Sequence, residues 1–131
     1  MNQIILAHTL IAAVVGVMLF FSVAVAPGIF KVLPAEWAAK YVRAFFPKYY
    51  AVLGGVTAVA AYITVGMPAR PVLWACAAVF ALSLWPITPA INRARDTGAK
   101  RLFGALHGVS VLLNLVQLGA LIWLLCVTPP A

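Results

Sequence analysis

The sequence predicts an all-α protein: a membrane-embedded antiparallel four-helix bundle, with a short interfacial amphipathic helix between its first two spans. Three observations carry this expectation. First, 66% of the 131 residues are hydrophobic and only 8% are charged, with a mean hydropathy of +1.09. A soluble domain carries roughly 25% charged residues, so this chain cannot clothe a water-facing surface. Second, four apolar segments, about 3–26, 49–65, 71–91 and 103–125, alternate with stretches holding Pro, Gly, Lys and Arg. A bilayer-crossing helix needs roughly 20 apolar residues. Third, the basic residues partition by loop. The first loop holds Lys31, Lys40, Arg43 and Lys48, and the third holds Arg93, Arg95, Lys100 and Arg101, against Arg70 alone in the second. Basic loops stay in the cytoplasm, so both termini are expected outside. The length predicts one domain, 1–131.

The first span, ILAHTLIAAVVGVMLFFSVAVA, has no charge, and its Ala12 and Gly16 form a small-xxx-small pair that admits a neighbouring helix. Val23-Ala24-Val25-Ala26 resembles a signal-peptide cleavage site. Pro27 follows directly and no basic residue precedes the apolar run, so an uncleaved span is expected, ended by Pro27-Gly28. Between Lys31 and Pro47, Trp37, Tyr41 and Phe45 repeat every four residues, with Lys40 and Arg43 off that side. Pro34 and Glu36 suit a helix start and Pro47 suits its end, which predicts the interfacial amphipathic helix.

The second span is short and thinned by Gly54, Gly55, Ala58 and Ala61, and Gly66-Met67-Pro68 makes a turn. The third carries Trp74 and Trp85 near its ends, as interfacial aromatics. Pro86 and Pro89 should kink it and free carbonyls that other groups must satisfy. Gly98 breaks the helix before Lys100-Arg101 leads into the fourth span.

That fourth span, FGALHGVSVLLNLVQLGALIWLL, contains His107, Ser110, Asn114 and Gln117 at spacings of three, four and three. All four therefore share one helical stripe. Such a stripe is expected to face other helices or a small wet cavity rather than lipid. Gly104 and Gly108 beside it form a GxxxG pair that admits a close neighbour. The stripe is the candidate ligand-binding feature.

His8 and His107 raise the question of haem or metal ligation. Their expected depths differ by roughly 15 Å in a core of about 30 Å. Two axial ligands of one iron must each lie within about 2 Å of it, so the pair cannot sandwich a haem. His8, Cys76 and Cys126 are all expected in the outer half and form a weak candidate set for a soft metal such as copper. No CxxC or disulfide framework is present.

Glu36 and Asp96 are the only carboxylates, and neither lies in a span. That argues against paired-carboxylate catalysis and proton-coupled transport. HExxH, GxSxG and Gly-rich phosphate loops are absent, so no enzymatic activity and no cofactor are expected. A pI near 10.0 reflects loop charges that meet anionic lipid headgroups rather than nucleic acid.

Four blocks occur in order: His8-Thr9-Leu10 through Gly16, Phe20-Phe21-Ser22 and Pro27-Gly28-Ile29-Phe30 to Leu33-Pro34; Phe45-Phe46-Pro47-Lys48-Tyr49; Asn92 after Pro89; and Phe103 with His107-Gly108-Val109-Ser110 and Asn114-Leu115. In order and spacing they resemble the transmembrane protein 205-like family of small four-span proteins. The resemblance implies the same four-helix fold and, with the loop charges, residence in a bacterial cytoplasmic (inner) membrane. It implies little chemistry, since bacterial members are mostly of unknown function. The eukaryotic relative's longer hydrophilic stretch before the last span is absent here. A fainter likeness to bacterial copper-resistance membrane proteins and a haem-containing protoporphyrinogen oxidase keeps haem b or copper at His107 or His8 as an alternative. The leading expectation is an accessory or structural bundle, as a homo-oligomer or in a larger membrane complex. Small-molecule or metal binding or transport along the stripe is the second.

Overall fold

A computed structural model describes residues 2–128. The described chain is almost entirely helical and falls into four long helices: α1 (Gln3–Val32), α2 (Ala35–Ile63), α3 (Arg70–Asp96) and α4 (Lys100–Val127). Three of them, α1, α3 and α4, are long and apolar enough to cross a membrane. In α2 the apolar part begins only after Lys48, and Gly54, Gly55 and three tyrosines dilute it. The structure therefore supports an all-α bundle with three spanning helices by length and composition.

The helices form a ring in chain order. α1 packs on α2, α2 on α3, α3 on α4, and α4 closes back onto α1. Among the described residues the diagonal pairs α1–α3 and α2–α4 do not pack backbone to backbone. The α2–α3 seam is the tightest, because Gly54 presents no side chain to Phe80. A Cβ there would lie 3.0 Å from Phe80 Cβ. Around this seam Leu53, Ala60, Ala61, Leu73 and Phe80 are buried.

Short connections join the helices. Gly66 (φ +78°) supplies the left-handed backbone of the α2–α3 turn, where Met67 N–H donates to Thr64 O. At the end of α3, Gly98 (φ +69°) closes a Schellman motif. Ala99 N–H donates to Ala94 O at 3.0 Å and Gly98 N–H to Arg95 O at 3.2 Å, satisfying carbonyls left open by the helix end. At the other extreme, Asn2 caps α1 by accepting from Ile4 N–H at 3.1 Å.

Prolines behave differently from the sequence expectation. Pro27-Gly28 does not end the first helix, which runs on to Val32. Pro47 does not separate an interfacial helix from a second span; both belong to the 29-residue α2. In α1 and α3 the backbone absorbs proline through one wide turn each, Phe21–Val25 and Ser83–Ile87, where the bonding shifts to i→i−5. Ala26 N–H reaches Phe21 O in the first. In the second, Ser83 O accepts both the N–H of Thr88 and its hydroxyl, the latter at 2.7 Å. Pro47 costs α2 one backbone bond, since it has no N–H to offer Arg43 O. Aromatic packing on either side holds the helix together there. Phe21 stacks on Phe45 at 4.8 Å, and Phe46 and Tyr49 meet Phe21 at 5.5 and 5.2 Å. Trp37 and Tyr41 remain exposed, and Ala38 and Val42 are the buried residues of that stretch.

Candidate functional site

Ring closure is uneven, and this makes the site. Above its wide turn, α1 leans on α4, and His8 Nε2 lies 3.3 Å from Leu125 O. Below it, the Ala26–Val32 segment packs on α2 and its backbone stands away from that of α4. The two helices therefore fork toward the end that carries the basic residues. A cleft of about 350 Å³ occupies the fork, within the range of small-molecule sites.

Three of the four stripe residues, His107, Ser110 and Asn114, line this cleft. Opposite them, α2 contributes Arg43, Phe46, Tyr49 and Tyr50, and α3 contributes Thr88, Asn92 and Arg95. The hydroxyls of Tyr50 and Ser110 are 3.1 Å apart, a polar bridge across the α2–α4 diagonal. Deeper in, the Tyr49 hydroxyl and the Asn114 amide face each other across the same diagonal, and the hydroxyl and Asn114 Oδ1 are both buried without a well-formed hydrogen bond. Buried polar atoms normally have one, so an orphaned pair lining a cleft marks a place for a ligand or water. Phe21, Ala26, Phe30, Val111 and Leu115 make the rest of the wall apolar.

The mouth is cationic and organised by aromatic rings. The Arg95 guanidinium lies 4.9 Å over Phe103, whose ring is parallel to that of His107 at 5.8 Å. Arg43 donates to Asp96 and to Asn92 O, tying α2 to the end of α3. That hydrogen bond from Arg43 holds the Asp96 carboxyl below its ordinary range. Among the described residues Arg95 has no carboxylate partner of its own.

Gln117 departs from the stripe. It is buried and donates to Cys76 O at 2.9 Å, joining α4 to α3 above the cleft. One polar stripe thus serves two ends: a cleft-facing lower part and a helix-fastening upper part. The GxxxG pair differs from expectation too. A Cβ on Gly104, Gly108 or Gly16 would meet nothing within 4 Å, so these small residues face away from the bundle.

His8 stands level with Leu125, and about 18 residues of helix, or ~27 Å, separate that level from His107. The histidines are further apart than the ~15 Å of the sequence argument and cannot share an iron. His8, Cys76 and Cys126 are not gathered either. Cys76 is level with Gln117 and buried, while Cys126 is exposed. Among the described residues no group of three or more His, Cys, Asp or Glu is placed to hold a metal.

Sequence reasoning missed Arg95, Tyr49 and Tyr50 as site residues. The tyrosines read as the start of a span, and only the ring order of the helices turns them toward Ser110. Arg43 read as a topology charge.

Long apolar helices around a laterally forked cleft define a small helical membrane protein with no enzymatic motif. The chain matches the family described as a domain of unknown function, DUF4149, over residues 9–100, and belongs to that family. The match ends at the first residue of the fourth helix and so covers the α1–α3 walls of the cleft but not His107, Ser110 or Asn114. It does not carry the transmembrane protein 205-like naming. No curated protein and no solved structure matches the chain.

Proposed function

We propose that this protein binds a small molecule in the cleft between α1 and α4, taking it up sideways from the membrane. The observation that supports this reading is the pairing of a fork-shaped cleft with two buried polar atoms in its wall, Tyr49 Oη and Asn114 Oδ1, that face each other without a well-formed hydrogen bond. The proposal includes four bilayer crossings in a bacterial inner membrane, with α2 as the fourth crossing helix. The excess of Lys and Arg at the cleft end then puts the cleft mouth at the cytoplasmic leaflet.

Two experiments test it. Val111 is exposed and lines the cleft, so Val111→Trp fills the space without entering the core. Native mass spectrometry of protein released from its own membrane into mild detergent is expected to find a bound non-protein mass, lost in Val111→Trp. Wild-type protein with no adduct refutes the reading. For orientation, single cysteines at positions 70 and 93 are expected to react with an impermeant maleimide on opposite sides; labelling on one side refutes the topology.

A second reading, self-assembly or an accessory role in a larger complex, draws on Gly104 and Gly108. Both face open space on an outward side of α4 that also exposes Leu112 and Val116. Cross-linking between cysteines at position 108 of two copies tests it.

A further inference from the structure

The cleft's charge, shape and opening together specify what it takes, and this inference rests on the binding role proposed above. We propose that the ligand is an anionic glycerophospholipid of the adjoining leaflet, its phosphate held at Arg95, Arg43 and His107 and an acyl chain leaving through the fork between Phe30 and Leu115.

Charge comes first. The ionisable groups lining the cleft are Arg43, Arg95, His107 and two tyrosines, with no carboxylate. Asp96 is engaged by Arg43. Among the described residues Arg95 makes no ion pair of its own, with Asp96 acting on it only at longer range, and its guanidinium rests over the Phe103 ring. Guanidinium groups match phosphate oxygens with paired N–H donors. The Arg43 and Arg95 side chains come from different helices, so a phosphate between them would bridge α2 and α3.

Depth comes second. Ser110 and Asn114 follow His107 at about one and two turns, ~4.5 and ~10 Å further along α4. The Tyr50–Ser110 hydroxyl pair, the Tyr49 hydroxyl and the Asn114 amide therefore present hydrogen-bonding groups where the glycerol and its ester linkage would lie. A purely apolar molecule offers the Tyr49 hydroxyl and Asn114 Oδ1 nothing to bond, and a small soluble anion leaves the apolar wall uncovered.

The opening comes third. Phe30, Val111 and Leu115 are 63%, 45% and 55% exposed yet line the cleft. They are the rim of a gap through which the cleft is continuous with the surrounding hydrocarbon. A water-soluble ligand has no use for an apolar side door, whereas a lipid chain need not leave the bilayer to fill it.

The test is native mass spectrometry of delipidated protein given equal amounts of phosphatidylglycerol or phosphatidylcholine in detergent, with glycerol 3-phosphate as a free-headgroup control. The expected result is one retained phosphatidylglycerol per chain, not competed by glycerol 3-phosphate. Arg95→Gln is expected to lower its occupancy about tenfold, the scale of one charge-assisted hydrogen bond. Arg95→Lys restores most of it, and Val111→Trp abolishes it. Circular dichroism and elution volume confirm that each variant is folded. Equal retention of the two lipids overturns the proposal, as does phosphatidylglycerol binding that survives Val111→Trp, which is annular lipid only. Competition by glycerol 3-phosphate overturns the lipid and leaves a soluble phosphate ester. A native adduct that is not an anionic lipid sinks this inference but not the binding role; no adduct of any kind sinks both.

Discussion

Alanine at Gly54 and alanine at Gly104 make a matched pair in which the same chemical change meets opposite surroundings. Each adds one methyl group in the body of a long helix, and each gains about 0.5–1 kcal/mol from reduced backbone freedom. That gain cancels in the difference. At Gly104 the methyl meets nothing within 4 Å. At Gly54 it arrives 3.0 Å from Phe80 Cβ, where carbon atoms prefer about 3.5–4.0 Å. The partner is a Cβ and not the end of a side chain, so Phe80 has no rotamer that relieves the clash. Phe80 is also fully buried, which leaves separation of α2 from α3 as the remaining response. Forcing an extra carbon into a packed seam costs about 1–3 kcal/mol. Gly54→Ala is therefore expected to be less stable than Gly104→Ala by ~1–3 kcal/mol, a factor of about 5–150 in the folded-to-unfolded ratio. Reversible unfolding in mixed SDS and dodecylmaltoside micelles, followed by circular dichroism, measures it. If the two variants unfold at the same SDS fraction, the α2–α3 seam is not as close as described and the ring order loses its tightest joint.

Further outcomes follow from single contacts. Gln117→Leu removes one α3–α4 hydrogen bond together with the unpartnered Oε1 atom. Interhelical bonds in membranes average about 0.6 kcal/mol, so the same unfolding assay should register a change below ~1 kcal/mol; a larger loss gives Gln117 a role beyond fastening. Thr88→Val keeps the side chain's shape but deletes the hydroxyl bond to Ser83 O within the same helix, and is expected to cost about 0.5–1.5 kcal/mol. An unchanged midpoint means the wide turn does not depend on it. Asp96 is held below its ordinary range by Arg43, so its pairing contributes above about pH 4 and is lost as pH falls through its folded-state value. Melting midpoints in detergent should therefore separate wild type from Asp96→Asn at pH 6, and the gap should narrow as pH falls below about 4. Parallel curves across that window remove the link between Arg43 and the end of α3.

Most of the architecture was legible in the sequence because lipid leaves few options: apolar length sets helices, and turn glycines such as Gly66 and Gly98 set their ends. Proline was the point of failure. Pro27 and Pro47 read as stops because a helix in water rarely tolerates them. Here the surrounding hydrocarbon makes an interrupted backbone costlier than a wide turn or one missing bond. The stripe on α4 was legible as a polar face, and its division between cleft and seam was not. Spacing fixes direction around one helix; it says nothing of which neighbour stands at each height. Tyr49, Tyr50 and Arg95 were hidden for the same reason, since the tyrosines' part in the cleft depends on α2 standing across the ring from α4, and that of Arg95 on α3 standing beside Phe103 of α4.

The wide turns also affect what the chain tolerates. Residues facing the bundle interior follow spacings of three and four along α1 from Ala7 to Phe21, where Ala26 N–H then bonds back five residues to Phe21 O, and the buried Ser83 and Thr88 stand the same five apart. Each turn thus carries one residue of slack. Dropping a residue there would leave an ordinary helix whose lower half, including the cleft wall at Ala26 or Asn92, still points inward. Elsewhere in these helices the same deletion would swing every later side chain by about 100°. The chain can change length beside the cleft, and at few other places, without turning the cleft inside out.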